Sequence, residues 1–152
     1  MQLFLYITAA SLSPLPTANM MDSFDSPFTI EINGKPIAKV SDRDQSRTQA
    51  KVGAAGHAAI LKLEDGNLSC GGWMLGRNKT EDRSFLPKQV LWFRVDGEGE
   101  NKDSKEQILP IALEKSGDTY KPIFHGAHLI EEEGTVFASL MEESATVTVK
   151  MQ

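Results

Sequence analysis

The chain carries one cysteine, and an intramolecular bridge needs two, so no disulfide framework staples it. It also lacks a run of about 20 consecutive apolar residues, the length a helix needs to cross a bilayer. A transmembrane helix is therefore not expected. Basic residues are sparse and scattered: 16 Lys and Arg stand against 21 Asp and Glu, giving a net charge of -5, and no basic run exceeds two. A phosphate backbone finds no electrostatic footprint in this pattern, so nucleic acid is not an expected partner. Apolar residues never keep a clean i, i+3, i+4, i+7 spacing over 11 residues, which leaves little room for helix. The Gly-rich pieces VGAAGH and DGEGE lack the Lys-Ser/Thr ending of a P-loop and the strand-to-helix setting of a dinucleotide fingerprint. No cofactor is expected.

What the sequence does have is turns. Phe28, Ile30 and Ile32 alternate with Thr29, Glu31 and Asn33, and Asn33-Gly34 follows, the strongest short hairpin signal. Asp65-Gly66 gives a second turn, followed by a strand over 68–75 that carries Gly71, Gly72 and Trp73. VLWFRV at 90–95 is a compact apolar run that predicts a buried strand. Turns at Ser116-Gly117-Asp118, at Gly126 and at Glu133-Gly134 then separate strands over 108–113, 120–125, 128–132 and 135–140. The closing ATVTVKM puts Ala145, Val147, Val149 and Met151 on one face and Thr146, Thr148 and Lys150 on the other. Turn signals every 8 to 12 residues predict an all-β domain, an antiparallel barrel or β-trefoil first and a two-sheet sandwich next.

Residues 1–21, MQLFLYITAASLSPLPTANMM, bear no charge, open on an apolar run and pass through small residues to Ala18. This resembles a secretory signal, with the β-domain occupying 22–152. Two triplets, Asn67-Leu68-Ser69 and Asn78-Lys79-Thr80, would accept glycans in a secreted protein, so Asn67 and Asn78 are candidate glycosylation sites.

Cys70, beside Gly71-Gly72, is the obvious nucleophile candidate, but no base lies near it in sequence, and a free cysteine is more often buried. His125 and His128 with Glu131 to Glu133 offer metal-ligand chemistry, yet residues three apart on a strand point to opposite faces. No metal site and no catalytic residue are therefore assigned. The acidic residues Asp42, Asp44, Glu81 and Asp82 read as surface loop charges. Among the aromatics, Trp73 and Tyr120 are the candidate ligand-binding rings, because an exposed ring gives carbohydrate a flat face to stack on.

The order of FTIEINGKPI, AAILKLEDGNLSCGGW, PKQVLWFRVDG and TYKPIFHGAHLIEEEGTVFASL resembles the small secreted fungal cell-wall proteins of the phialide-wall family, some of them allergens. The shared signatures are a D-G-x-L turn before a strand of the VLWFRVD type and an F-x-G-x-x-L-I segment near the end. This chain departs from the family in having no paired cysteines. The resemblance implies an extracellular β-domain at the cell wall or its polysaccharides, with no catalytic residues to carry over. The expected function is a secreted, non-enzymatic glycoprotein that binds carbohydrate at a surface. The alternative is a protease-inhibitor or effector-like barrel acting through an exposed loop, 41–50 or 96–106.

Overall fold

A computed structural model of the chain describes residues 20–40, 47–81, 86–95, 107–141 and 145–152. It is all-β, with one strongly curled antiparallel sheet forming a half-barrel. The strands are β1 (Met20–Met21), β2 (Phe24–Ile32), β3 (Lys35–Pro36), β4 (Arg47–Gln49), β5 (Leu61–Glu64), β6 (Asn67–Cys70) and β7 (Trp73–Arg77). They continue with β8 (Lys88–Arg94), β9 (Ile111–Ser116), β10 (Thr119–Phe124), β11 (His128–Glu132), β12 (Thr135–Ser139) and β13 (Val147–Met151). One 3-10 turn, Ala55–His57, is the helical element among the described residues.

Two-residue turns set the order of strands. Asn33-Gly34, Asp65-Gly66, His125-Gly126 and Glu133-Gly134 all have both residues at positive φ, the type I′ geometry whose twist matches that of the flanking strands. Gly71 and Gly117 are positive at the first central position only, as type II′ requires. Gly71-Gly72 is thus a hairpin turn joining β6 to β7, where the alternation alone predicted one strand through 68–75. Two adjacent glycines read equally well as a bend within a strand, and the pairing of Cys70 with Trp73 decides for the turn.

The large sheet runs β11-β12-β8-β7-β6-β5-β2-β13, and a small one runs β10-β9-β1. Off this path, β3 pairs with β2 and β4 pairs with β8. Isolated bridges between Ile37 and Val52 and between Ala38 and Ala58 then link the β3 and β4 segments. Residues 47–52 also wedge between β8 and β12: Ala50 donates to the Val90 carbonyl and accepts from Val136 N–H. The Gln49 amide spans the same split, Nε2 reaching the carbonyls of Val90 (3.2 Å) and Val136 (2.8 Å).

Alternation explains the core. Trp73, Leu75, Val90 and Trp92 point inward with Phe28, Ile30, Ile32, Leu61 and Phe124, while Met74, Leu91 and Phe93 join Ile108 in a smaller outer cluster. Strand β8 is therefore buried on both faces, which is why VLWF reads as continuous apolar sequence. Gly76 sits where the two layers close most tightly: a Cβ there would meet Ile108 Cγ2 at 2.5 Å. In the last strand Val147 and Val149 are half-buried and Thr148 and Lys150 exposed, as the pattern predicts, but Met151, expected on the apolar face, is exposed at the strand's end.

Candidate functional site

Two surface clefts bring chemistry-bearing side chains together. The first begins at an irregularity in β2. Phe24 pairs with Leu63 and Phe28 with Leu61, so four residues of β2 match two of β5 and the strand bulges around Asp25, Ser26 and Pro27. A bulge redirects side chains, and here it leaves Asp25 and Ser26 exposed and Phe24 half-buried. Phe24 forms one wall of a cleft of ≈ 190 Å³ whose other lining residues include Ser23, Asp25, Lys62 and Glu64. Tyr120, half-buried on β10, meets the Phe24 ring edge-on, 5.0 Å between centroids and 65° between planes. Phe28 meets Phe24 from the core side at 6.0 Å. The floor is pinned by Asp65 N–H donating to Ser23 Oγ (2.9 Å) and Gly66 N–H to the Asp22 carbonyl (2.8 Å). A ring pair stacked on the core and flanked by exposed carboxylates and an ammonium has the make-up of a shallow site for a polyhydroxylated ligand.

The second cleft, ≈ 240 Å³, opens where β7 ends and β8 begins and is lined by Asn78, Thr80, Glu81, Pro87, Gln89 and Leu91 among others. Beside it lies the most elaborate polar cluster among the described residues. Arg77, buried, grips Glu81 through two parallel bonds, Nη2 to Oε1 at 2.6 Å and Nε to Oε2 at 3.1 Å. Its Nη1 donates to the carbonyls of Phe124 (2.8 Å) and His125 (3.0 Å). The guanidinium thus ties the end of β7 to the β10–β11 turn, and the planar fork suits that task better than an ammonium would. Thr80 N–H donates to Asn78 Oδ1 (3.1 Å), an Asx turn.

Trp73 lies in the core at 3% exposure, with the Arg94 guanidinium 4.5 Å from its ring centroid, so it offers no face for a ligand to stack on. The Gly71-Gly72 turn beside it does not expose it, because β8 pairs with it and Arg94 covers it. Tyr120 is half-buried against the core and its ring meets Phe24, which lines the first cleft. Its partner Phe24 carries no sequence signal: in FDSPF a proline and polar residues break the alternation, and Phe24, opposite core residue Leu63, packs against the core at the edge of the bulge.

Cys70 is half-buried against the core, and burial pushes its thiol above the ordinary value. A backbone hydrogen bond with Ile60 and the charge of Lys39 act the other way with less effect. The thiol is thus held protonated, the opposite of what a nucleophile needs. His125 sits exposed in the β10–β11 turn and His128 on β11, half-buried with Nδ1 enclosed and without a hydrogen-bond partner. No group of three or more His, Cys, Asp or Glu among the described residues could hold a metal ion. No helix among them is long and apolar enough to cross a membrane.

Asn67 is half-buried at the start of β6, paired with Glu64, and Asn78 is half-buried at the rim of the second cleft. Residues 1–19, the loop residues 41–46 and 96–106, and Asp82 lie outside the described residues. No family model matches the chain, and neither a curated protein nor a solved structure matches it.

Proposed function

We propose that the chain is a secreted, non-enzymatic β-domain that works at a cell wall or similar extracellular surface and holds carbohydrate against the Phe24–Tyr120 ring pair. The observation that carries this reading is that pair: two half-buried rings locked edge to face at 5.0 Å beside a cleft bordered by Asp25, Lys62 and Glu64. Rings supply apolar area for the faces of sugar residues, and the charged groups supply donors and acceptors for their hydroxyls. Both described clefts are smaller than the roughly 300 Å³ at which sites begin to enclose a drug-sized ligand. Shallow contact with one or two units of a polymer suits them better than enclosure of a whole substrate. The uncharged N-terminal segment, the two glycosylation triplets and an order of hairpin motifs that resembles that of phialide-wall proteins support the extracellular, fungal-wall part.

The test is retention on insoluble chitin, β-glucan, mannan and cellulose. Wild type should be retained by at least one of them. Tyr120→Ala should weaken that binding about tenfold, equivalent to about 1.4 kcal/mol, the scale of one lost aromatic contact. Equal retention of wild type and Tyr120→Ala, or no retention on any polymer, sinks the proposal.

A further inference from the structure

We infer that Asn78, and not Asn67, carries an N-linked glycan, and that the first sugar of this glycan seats in the cleft beside Glu81, Pro87, Gln89 and Leu91. The inference rests on the secreted reading above. The two triplets are equivalent in composition rules but not in backbone. In 67–69, Leu68 and Ser69 are laddered on both sides, to Leu63 and Lys62 of β5 and to Leu75 and Met74 of β7, and Leu68 is buried. Extended backbone advances about 3.3 Å per residue, so it keeps the Asn67 amide and the Ser69 hydroxyl some 6 to 7 Å apart along the strand. In 78–80 the chain folds back on itself: Thr80 N–H donates to Asn78 Oδ1, which brings the third residue of the triplet to the amide of the first. Lys79 and Thr80 are exposed.

The same hydrogen bond fixes which way the amide points. Oδ1 accepts from Thr80, so Nδ2 is the atom left for modification, and Asn78 is a wall of the ≈ 240 Å³ cleft. That volume accommodates a ring-sized group, and its lining alternates apolar carbon from Pro87 and Leu91 with the amide of Gln89 and the carboxylate of Glu81. Glu81 is held in place by Arg77, so this wall is preorganised. The reaction is transfer of an oligosaccharide from a polyprenyl diphosphate donor. The anomeric C–O bond breaks, a C–N bond forms to Nδ2, the diphosphate leaves with the anomeric oxygen, and a base of the transferase takes one amide proton.

The full chain, expressed through a yeast secretory pathway, tests this. Release of glycans by peptide-N-glycosidase in ¹⁸O water converts each occupied Asn to labelled Asp. The label should appear at position 78 and not at 67. Asn78→Gln and Thr80→Ala should each abolish it, while Asn67→Gln should leave it intact. Seating in the cleft predicts release at least tenfold slower from native than from denatured protein. An unlabelled Asn78 in protein recovered from the medium overturns the inference and leaves secretion standing. Equal release rates overturn the seating, and recovery only from inside the cell, without glycan, overturns the inference together with the secreted reading.

Discussion

Gly76 lies between two packed layers, and its lack of a side chain is what lets them meet. Alanine there would place a Cβ 2.5 Å from Ile108 Cγ2, and Ile108 is branched at Cβ and held in the outer cluster, so it cannot simply swing aside. Gly76→Ala should destabilise the fold by about 1 to 3 kcal/mol, the usual cost of overpacking, read from urea denaturation. Arg77 is the second residue on which the fold leans. Arg77→Leu would take the guanidinium from the Glu81 carboxylate and the His125 carbonyl, leaving the Phe124 carbonyl only its Ala127 N–H donor, and should cost about 3 to 5 kcal/mol. Arg77→Lys should recover part of the loss, because an ammonium restores charge but not the two-pronged grip. Cys70 yields a prediction in pH. Its thiol is raised in the folded state, so the fold favours the protonated form. That contribution is complete below the ordinary thiol range and is lost as pH rises through it toward the folded value. Iodoacetamide should therefore label native Cys70 much more slowly at pH 8 than it labels the unfolded chain; equal rates would contradict a burial-raised thiol.

At the scale of elements, the turns organise the molecule, and they were the most readable part of its sequence. Asn33-Gly34, Asp65-Gly66 and Glu133-Gly134 stand where the residue pairs alone put them, because a glycine at the second position accepts positive φ without a Cβ penalty. These turns differ in what surrounds them. Gly134, at φ +84, has open space around it, so Gly134→Ala should cost about 1 to 2 kcal/mol from backbone strain alone. Gly66, at φ +82, also faces Pro110 Cβ at 3.2 Å, so Gly66→Ala should cost more, and thermal melts of the two variants would rank them. What could not be read was pairing at a distance. The wedge of 47–52 between β8 and β12 joins residues 41 and 87 positions apart through Gln49, and nothing local marks Gln49 for that role. The β2 bulge was hidden for a related reason: a register mismatch between β2 and β5 belongs to neither strand's own pattern.

For the whole molecule, an all-β fold followed from turn spacing and alternation, and the half-barrel follows from a meander of short hairpins that curls as it twists. The site was less accessible. Tyr120 was identifiable as a ring on a strand; that Phe24 completes it depends on the bulge and on β10 of the small sheet meeting β2 of the large one. Trp73 misled because its adjacent glycines suggest exposure, whereas they make a tight turn that returns the chain over it. Carbohydrate is proposed to bind at the Phe24 cleft, against the Phe24–Tyr120 ring pair. The most direct measurement is an NMR titration of the full chain with soluble oligosaccharides of chitin, β-glucan, mannan and cellulose. Saturable shifts of the Phe24 and Tyr120 ring resonances and of Asp25, Lys62 and Glu64 are expected with at least one of them, with the Trp73 indole unchanged. Shifts centred elsewhere, or none with any of the four at millimolar concentration, would contradict it.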